Sequence, residues 1–421
     1  MTDTFRRARV ELALAHHAGA TPLDFGATHV TGMHVTCVED LRRHYSLERR
    51  PVKVIDPYQM LGLLEDDLLD AIDVDTVGLF PPTSLFGYRN ENWREFRTPW
   101  GQLVLVPDGF RVTPSEGGGL LIYPKGDLTA PPSGHMPAGG YFFDSIIRQE
   151  PIREEALDPK DNLEEFGPAS QEDVDYFGRE AKRLAATGRA VVASFGGMGL
   201  GDIALVPAPF LARPKGIRDV AEWYMSTVTR QDYVHKVFSK QVEIAVGNLA
   251  RFHEAVGGAV SVVFTCGTDF GTQTSSFCSP RTFDALYAPY YRRVNDWIHR
   301  HTAWKIMKHS CGAVEPFLSR FADAGFDIIN PVQCSAAGMD PVALKERYGD
   351  RLVFWGGGVD TQKTLPFGRP AQVRDEALRR CEIFSKNGGF VFNAIHNVQA
   401  GTPVENIVAM LEAVAAFRGR G

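Results

Sequence analysis

Several classes of protein are excluded by what this sequence has little of. No apolar stretch approaches the roughly 18 residues that a membrane span needs. The start, "MTDTFRRARVELALAHHAG", is charged and has no apolar core of the kind found in a signal peptide. No dense Lys or Arg run occurs and the formal net charge is −6, so nucleic acid and anionic membranes are poor partners. We therefore expect a cytoplasmic protein that binds neither.

Cysteines and the common catalytic motifs are also scarce. The six cysteines are scattered, which does not resemble a disulfide framework and favours buried thiols or metal ligands. The stretch "SFGGMGLGD" (194–202) lacks the G-x-G-x-x-G register and the lysine of a phosphate-binding loop. No G-x-S-x-G and no H-E-x-x-H is present. The sequence therefore does not support a nucleotide-binding site, an acyl-transfer enzyme or a zincin-type metalloprotease.

The sequence does contain a series of short apolar runs separated by amphipathic helical stretches. Residues of hydrophobic type make up 44% of the chain, enough for a sizeable core. The eight runs lie at 21–28, 75–80, 190–197, 260–267, 304–312, 326–333, 352–358 and 390–396. Strands that are apolar on both faces and alternate with helices indicate a covered parallel sheet. Eight such units favour an α/β fold of the (β/α)8 TIM-barrel type over an open sheet.

One region interrupts this alternation. From about 81 to 180 the chain is rich in Pro and Gly, and it contains alternating runs such as "WREFRTPWGQLVLVPDGFRVTP" that are typical of antiparallel hairpins. Insertions after barrel strands often cover active sites. We predict a single barrel domain over 1–421 with a β-rich cap over its mouth at 81–180.

Polar residues close most of the predicted strands. In a parallel barrel the strand ends meet at one mouth, so these residues are the candidate site. Asp269, among glycines after the run at 260–267, could act as a base, or could simply form a turn or cap a helix. Other strand-end candidates are Asp24, His34, Asn330, Gln333, Cys334, Trp355, Asn393, His396 and Asn397.

The triplet His309-Ser310-Cys311 is the most specific of these signals. Alternate residues of a strand point the same way, so His309 and Cys311 could face one cavity. An imidazole with a thiolate suits zinc, but two ligands do not make a site. Cys334 and His396 end other strands and could converge on the same mouth. The alternative is a hydrogen-bonded core histidine beside a buried thiol.

Several motifs in order resemble the uroporphyrinogen decarboxylase superfamily, which also contains zinc-dependent, corrinoid-linked methyltransferases. They are "TDFGTQTSSFCSPRTFDALYAPYYRRV", "HSCG", "GFDIINPVQ", "LVFWGGGVDTQ", "LPFG" and "GGFVFNAIHNVQAGTPVENIVAM". The resemblance runs from about Thr21 to Phe417 and is strongest after Val260. It implies a (β/α)8 barrel with its site at the mouth, in agreement with the strand count.

The methyltransferase branch is the closer of the two. Decarboxylases of this superfamily carry an R-Q-A-G-R segment that grips substrate carboxylates, whereas "PLDFGATHVTGMH" (22–34) contains no arginine. The resemblance implies that His309 and Cys311 form the branch's H-x-C zinc motif. The branch's distal cysteine, before T-P-x-E-N, is replaced by His396, an exchange that zinc allows. No carboxylate lies near Gln333, where the branch has an acidic ligand, so Cys334 is our candidate for the fourth ligand.

The resemblance implies a methyltransferase that moves a methyl group between a small methylated substrate and a corrinoid protein. Zinc would activate either a thiol acceptor or the oxygen of a methyl ether. Aromatic stretches of the cap, "FGYRNENWREF" and "GGYFFDS", favour an aryl methyl ether in a dry pocket, although they could equally form the cap's own core. No D-x-H-x-x-G motif is present, so the corrinoid (cobalamin) would come from a separate partner protein.

Roles follow for the candidates, and two alternatives remain. We assign catalysis to Asp269, Asn330 and Gln333, substrate binding to Asp24, His34, Phe195, Trp355, Asn393 and Asn397, and metal binding to His309, Cys311, His396 and Cys334. One alternative is a metal-free decarboxylase or lyase of a small carboxylic acid, with Asp269 stabilising a cation. The other is a non-catalytic barrel that binds a tetrapyrrole or corrinoid. A homodimer is an option that we keep open.

Overall fold

The structure is a computed structural model that describes residues 3–19, 21–196 and 198–419. In chain order the strands are β1 Val52–Asp56, β2 Leu61–Gly62, β3 Thr76–Leu79, β4 Arg94–Arg97, β5 Leu103–Val106, β6 Val112–Pro114, β7 Leu120–Ile122, β8 Gly134–Met136, β9 Asp144–Ser145, β10 Ala190–Ala193, β11 Val260–Cys266, β12 Lys305–His309, β13 Ile328–Asn330, β14 Val353–Trp355 and β15 Phe390–Val391.

The helices are mostly those between the barrel strands. They are α1 Asp3–Leu14, α2 Val35–His44, α3 Asp66–Ala71, α4 Gln171–Ala185, α5 Val220–Thr229, α6 Gln231–Val256, α7 Pro280–Thr282, α8 Ala288–His301, α9 Glu315–Asp323, α10 Pro341–Tyr348, α11 Thr364–Phe367, α12 Pro370–Phe384 and α13 Val404–Arg418. A π-helical segment, Phe283–Tyr287, joins α7 to α8. Among the described residues, no helix is long and apolar enough to cross a membrane.

The central sheet is parallel and closes on itself. Seven strands pair in the order β15, β14, β13, β12, β11, β10, β3. The extended segment around Leu23 completes the ring, because the Asp24 N–H donates to the Phe392 carbonyl and the Asp75 N–H donates to the Leu23 carbonyl. All eight predicted runs therefore occupy barrel positions, and the predicted TIM-barrel fold is confirmed. The run at 190–197 ends at Gly197, which lies outside the described residues.

Apolar side chains fill the barrel interior in the way its sequence pattern requires. Strands β10 to β15 contribute buried residues to the interior, and α1 packs against them; this cluster contains Val10, Ala13, Leu14, Ala27, Ala190, Val192, Val262, Met307, Ile328, Val353, Trp355 and Val391. The Arg7 N–H at α1 donates to the Gly188 carbonyl, just before β10. Helix α1 therefore closes the N-terminal end of the barrel, opposite the mouth where the strands end.

Two smaller sheets lie outside the barrel. One has the order β2-β1-β5-β4, and the other is antiparallel with the order β6-β7-β8-β9. The first sheet includes β1 and β2, which precede the predicted 81–180 insertion, and the strands of that range end at Ser145. Helix α4 also lies in the range, but it is capped by Ser170 and packs on β3 and β10 as a barrel helix. The division into barrel and cap stays a prediction.

The outer strands reach the barrel mouth near their last hairpin. The N–H of Phe143, just before β9, donates to the Tyr58 carbonyl. A cavity of about 430 Å³ lies between this hairpin and the loop that follows β15; it is lined by Tyr58, Gln59, Tyr141, Phe142, Asp144, Gln399 and Ala400. The outer sheets thus contribute aromatic side chains beside the mouth.

Candidate metal centre

Three of the predicted ligands meet at the barrel mouth. His309 is the last residue of β12, Cys311 lies two positions beyond it, and His396 is in the loop after β15. Their ligand atoms all lie within 4.8 Å of one another. The Sγ of Cys311 is 3.4 Å from Nε2 of His309, and the two imidazole rings meet edge to face with centroids 5.6 Å apart.

Asn330 fixes which nitrogen of His309 faces this group. The Nδ2 of Asn330 donates to the carbonyl of Trp355 at 3.0 Å, so its Oδ1 is the atom that meets Nδ1 of His309 at 2.8 Å. An amide oxygen can only accept, so Nδ1 of His309 carries the proton. The lone pair of Nε2 then points toward Cys311 and His396, the arrangement in which a histidine binds a metal.

Burial keeps both imidazoles neutral. It lowers the pKa of His309 to about 4 and that of His396 to about 4. Burial, together with the nearby Asp269 carboxylate, raises the pKa of the Cys311 thiol well above its usual value. Because both imidazoles are neutral, they supply no positive charge that would stabilise a thiolate, and the Cys311 thiol keeps its proton. A bound divalent ion would supply that charge and displace the proton.

The donor set fits zinc. Zinc binds imidazole nitrogen at about 2.0–2.1 Å and thiolate sulfur at about 2.3 Å, so tetrahedral neighbours stand roughly 3.3–3.7 Å apart. The 3.4 Å between Cys311 Sγ and His309 Nε2 matches that spacing. Three protein ligands that leave a position open for another molecule are typical of catalytic rather than structural zinc sites.

Asp269 borders the metal-ligand group. Its Oδ1 accepts the Cys311 N–H at 2.7 Å and lies 4.0 Å from Nε2 of His309. Burial raises the pKa of the Asp269 carboxyl, against the lowering effect of the Cys311 N–H and of Lys308. The structure thus places the predicted catalytic carboxyl at the edge of the group.

Cys334 lies outside the group, contrary to its prediction as a fourth ligand. It is not among the close ligand atoms found in the described residues. Burial raises the pKa of its thiol to about 12, and the charges that act on it belong to Arg380, Glu376 and Asp340 on α12 and before α10. The thiol therefore faces the helix layer. Its neighbour Gln333 points elsewhere, accepting the Gly312 N–H at 2.8 Å, and so holds the loop after Cys311.

Three of the predicted substrate-binding residues are engaged in barrel closure. Asp24, fully buried, accepts the Thr76 hydroxyl at 2.7 Å and Nε1 of Trp355 at 2.7 Å. Asn393 donates to the Asp24 carbonyl at 2.7 Å. These bonds join the first, second, seventh and eighth positions of the ring, and they occupy the polar atoms of Asp24 that the prediction assigned to a substrate.

His34 and Asn397 are also held by the protein itself. His34 caps α2 through the Thr36 N–H, and its Nε2 donates to the Tyr141 carbonyl at 3.1 Å. Asn397 accepts the Gly32 N–H at 2.6 Å and donates to the His29 carbonyl at 2.8 Å. Both lie at the mouth, where they shape the loops around His396.

Phe195 lies on the helix side of the barrel, and its role in substrate binding stays a prediction. Its ring stacks on Phe252 of α6 at a centroid distance of 4.9 Å, and Phe177 of α4 packs edge-on at 5.1 Å. Trp304 completes this aromatic cluster at 5.4 Å. The residue belongs to the packing between β10 and its helices.

Sequence reasoning missed a buried lysine under the site. Lys308 is fully buried, and its Nζ donates to the carbonyls of Thr268 and His309. The ammonium lies 5.2 Å from the centre of the Phe270 ring and 5.6 Å from that of Tyr291. Burial lowers its pKa. The only signal in the sequence was its place beside His309.

A second buried carboxyl, that of Asp202, was missed as well. Burial raises its pKa to about 6, although the N–H groups of Ala204 and Gly267 donate to it. The charge of Asp269 acts on it in the same direction. A Cβ at Gly267 would lie 2.6 Å from Oδ2 of Asp202, so this approach requires glycine. In the stretch "SFGGMGLGD", the residue that lies near the site is therefore the last one, Asp202.

With this geometry in view, comparison with known proteins identifies the family. The model of the family described as Uroporphyrinogen decarboxylase (URO-D) matches residues 203–417, half of the chain. The chain belongs to the uroporphyrinogen decarboxylase family. The matched residues contain every member of the metal-ligand group and Asp269.

Individual relatives of this uroporphyrinogen decarboxylase family member are distant. It is 30% identical over 101 residues to a uroporphyrinogen decarboxylase of Methylococcus capsulatus, covering 24% of this chain and 27% of that one. A uroporphyrinogen decarboxylase of Coxiella burnetii is 28% identical over 88 residues, covering 20% and 24%. These matches span about a quarter of the relatives' length. They establish relationship over part of the barrel.

A solved structure extends the likeness to the whole fold. A methyltransferase from Methanosarcina mazei superposes with a TM-score of 0.52 over 98% of both chains, at 15% sequence identity. At this identity the likeness concerns the fold.

Proposed function

We propose that this protein is a methyltransferase that moves a methyl group between a small methylated substrate and a corrinoid protein, with zinc held by His309, Cys311 and His396. The observation that carries the proposal is the orientation of His309. Its Nδ1 is bound by Asn330 while its Nε2 lies 3.4 Å from Cys311 Sγ, which leaves a lone pair directed at a common point. A histidine used only for packing needs no such arrangement.

The bound ion would act as a Lewis acid that polarises an ether oxygen or lowers the pKa of a thiol. The chain's own residues do the rest. Asn330 holds the His309 ring, and Lys308 anchors the backbone on both sides through the Thr268 and His309 carbonyls. Asp269 uses Oδ1 for the Cys311 N–H, so Oδ2 is the atom with which it would take a proton from a substrate thiol.

The surroundings support an aromatic methyl donor. The cavity of about 430 Å³ at the mouth is lined by Tyr58, Tyr141 and Phe142, and its far wall is formed by Gln399, three positions after His396. A pocket of this size with aromatic walls suits a single ring. The protein lacks a D-x-H-x-x-G motif, so the corrinoid would be carried by a separate protein that docks at the open mouth.

A second candidate is decarboxylation of a small carboxylic acid without a metal. It is favoured by the relatives named uroporphyrinogen decarboxylase and by the two buried carboxyls, Asp202 and Asp269, whose pKa values burial raises. Against it stands the segment 22–34, which has no arginine to bind substrate carboxylates.

Metal content distinguishes the two candidates. We expect about one equivalent of zinc in the purified protein, lost in each of His309→Ala, Cys311→Ala and His396→Ala. Cys334→Ser is the matched control, because it removes a buried thiol outside the group and should retain the zinc. Transfer of a methyl group from an aryl methyl ether to a reduced corrinoid protein should follow the zinc content. A protein that is active after complete removal of metal would refute the proposal.

A further inference from the structure

A basic cavity lies at the opposite end of the barrel from the metal-ligand group. It has a volume of about 670 Å³ and sits between α1, the end of α6 and the end of α8. Its walls include the starts of β11 and β12, at Val260 and Lys305. Along β12, Lys305 is four residues before His309, which is about 13 Å of extended strand. The two sites are therefore separate.

The charge of the cavity wall is opposite to that of the chain. Three cationic side chains, Arg7, Arg300 and Lys305, and two histidines, His253 and His301, line it against one acid, Glu11, in a protein with a net charge of −6. Two of these cations already have acidic partners: Lys305 pairs at 3.3 Å with Asp327, whose side chain is 20% exposed, and the partner of Arg7 is more exposed. Arg7 pairs with Glu11 at 2.7 Å, where both side chains are more than a third exposed. Such pairs are weak and can be exchanged for a ligand.

Ser261 provides an independent sign of a missing partner. The residue is 8% exposed, it lines the cavity, and its hydroxyl has no hydrogen-bond partner among the described residues. A buried hydroxyl without a partner costs about 1–3 kcal/mol. Because the oxygen itself is buried, an acceptor oxygen of a ligand in the cavity would reach it only after the side chain rotates about χ1.

We propose that this cavity binds a small oligophosphate, free or as part of a nucleotide. Arginine binds phosphate oxygens through two parallel N–H donors, and within the described part of the chain Arg300 donates only from Nε, to the Asp296 carbonyl. The volume of about 670 Å³ lies in the range of small-molecule sites. This inference does not rest on the proposed function, because it uses none of the residues at the mouth.

The test is calorimetric titration with tripolyphosphate at constant ionic strength, without magnesium. Wild-type protein should show saturable binding of one equivalent, and Arg300→Glu should raise the dissociation constant at least tenfold. Arg293→Glu is the matched control, with the same charge change on an exposed residue of the same helix outside the cavity, and it should change the constant less than twofold. Ser261→Ala should raise it about threefold.

Three further arms decide the ligand class. His309→Ala should bind tripolyphosphate like the wild type, which rules out capture by a metal at the mouth. ATP that binds at least as tightly as tripolyphosphate supports the nucleotide form of the ligand, and weaker ATP binding supports the free form. Citrate that binds as tightly as tripolyphosphate overturns the assignment to phosphate. Absence of saturable binding, or an equal loss in Arg293→Glu, overturns the site.

Discussion

Replacing Asp75 by asparagine tests whether a buried ion cluster holds α1 and α13 to the barrel. Asp75 is fully buried; its Oδ1 lies 2.6 Å from Arg9 of α1, and its Oδ2 lies 2.5 Å from Arg418 of α13. Oδ2 also accepts the Leu23 N–H at 2.8 Å. The substitution keeps the shape of the side chain but leaves Asp73, which is half exposed, as the carboxylate that pairs with both nearly buried guanidinium groups.

The expected loss follows from this arrangement. Removing one partner of a buried ion pair costs about 3–5 kcal/mol, because the remaining charge is left in a medium that solvates it poorly. Asp73 stays within 3.1 Å of Arg9 and 2.8 Å of Arg418, so we expect the lower end, about 3 kcal/mol. Such a loss is a large part of the roughly 5–15 kcal/mol by which domains are stable.

The assay is urea unfolding followed by circular dichroism, with the change read from the first transition in case the outer sheets unfold separately. Asp66→Asn is the matched control. Asp66 is 63% exposed and stands 3.9 Å from Arg189, so its loss should cost less than about 0.5 kcal/mol. An Asp75→Asn protein as stable as this control would show that the buried cluster contributes no net stability.

Three other substitutions test separate features. Asn330→Ala should lower zinc affinity by about 10–100-fold in a chelator competition, because His309 loses the bond that orients it; unchanged affinity would contradict this. The Asp327 carboxylate raises the pKa of His299 in the folded protein. The bond between them therefore contributes its full stability below about pH 6.5, the pKa of a histidine in the unfolded chain, and this contribution is lost as the pH rises through the folded pKa. His299→Gln should abolish this dependence of stability on pH, which amounts to less than about 1 kcal/mol because the His299 side chain is 39% exposed. A profile of stability against pH that is the same in the variant and the wild type would refute this assignment. Gly247→Ala should raise the free energy of unfolding by about 1 kcal/mol, because a Cβ in this helical position meets no atom within 4 Å; a lower free energy of unfolding would refute it.

The barrel could be predicted because its strands are apolar on both faces. A run such as Val191–Ala193 of β10 is buried throughout, which leaves few folds other than a covered parallel sheet. The H-x-C triplet was informative for a related reason, since alternate residues at a strand end point the same way. Both inferences use only local geometry, and the structure agrees with both.

Side-chain direction at the other strand ends could not be predicted in this way. Asp24 and Phe195 lie at strand ends just as His309 does, yet Asp24 is bonded to Trp355 and Phe195 packs on α6. A shift of one residue turns a side chain from one face of a sheet to the other, and short strands leave that register open. Lys308 was overlooked because its burial depends on aromatic residues from distant segments, such as Tyr291.

Closure of the ring also has a consequence for how the protein folds. The bond between Asp24 and Asn393 joins residues that are 369 positions apart, and the closing strand pair at Leu23 and Phe392 spans the same interval. Contacts of such sequence separation form late and slow folding. During synthesis the outer edge of the segment around Leu23 cannot be covered until Phe392 has left the ribosome, and unpaired edges recruit other strands. Expression yield should therefore depend on chaperone capacity during translation more than on the stability of the finished barrel.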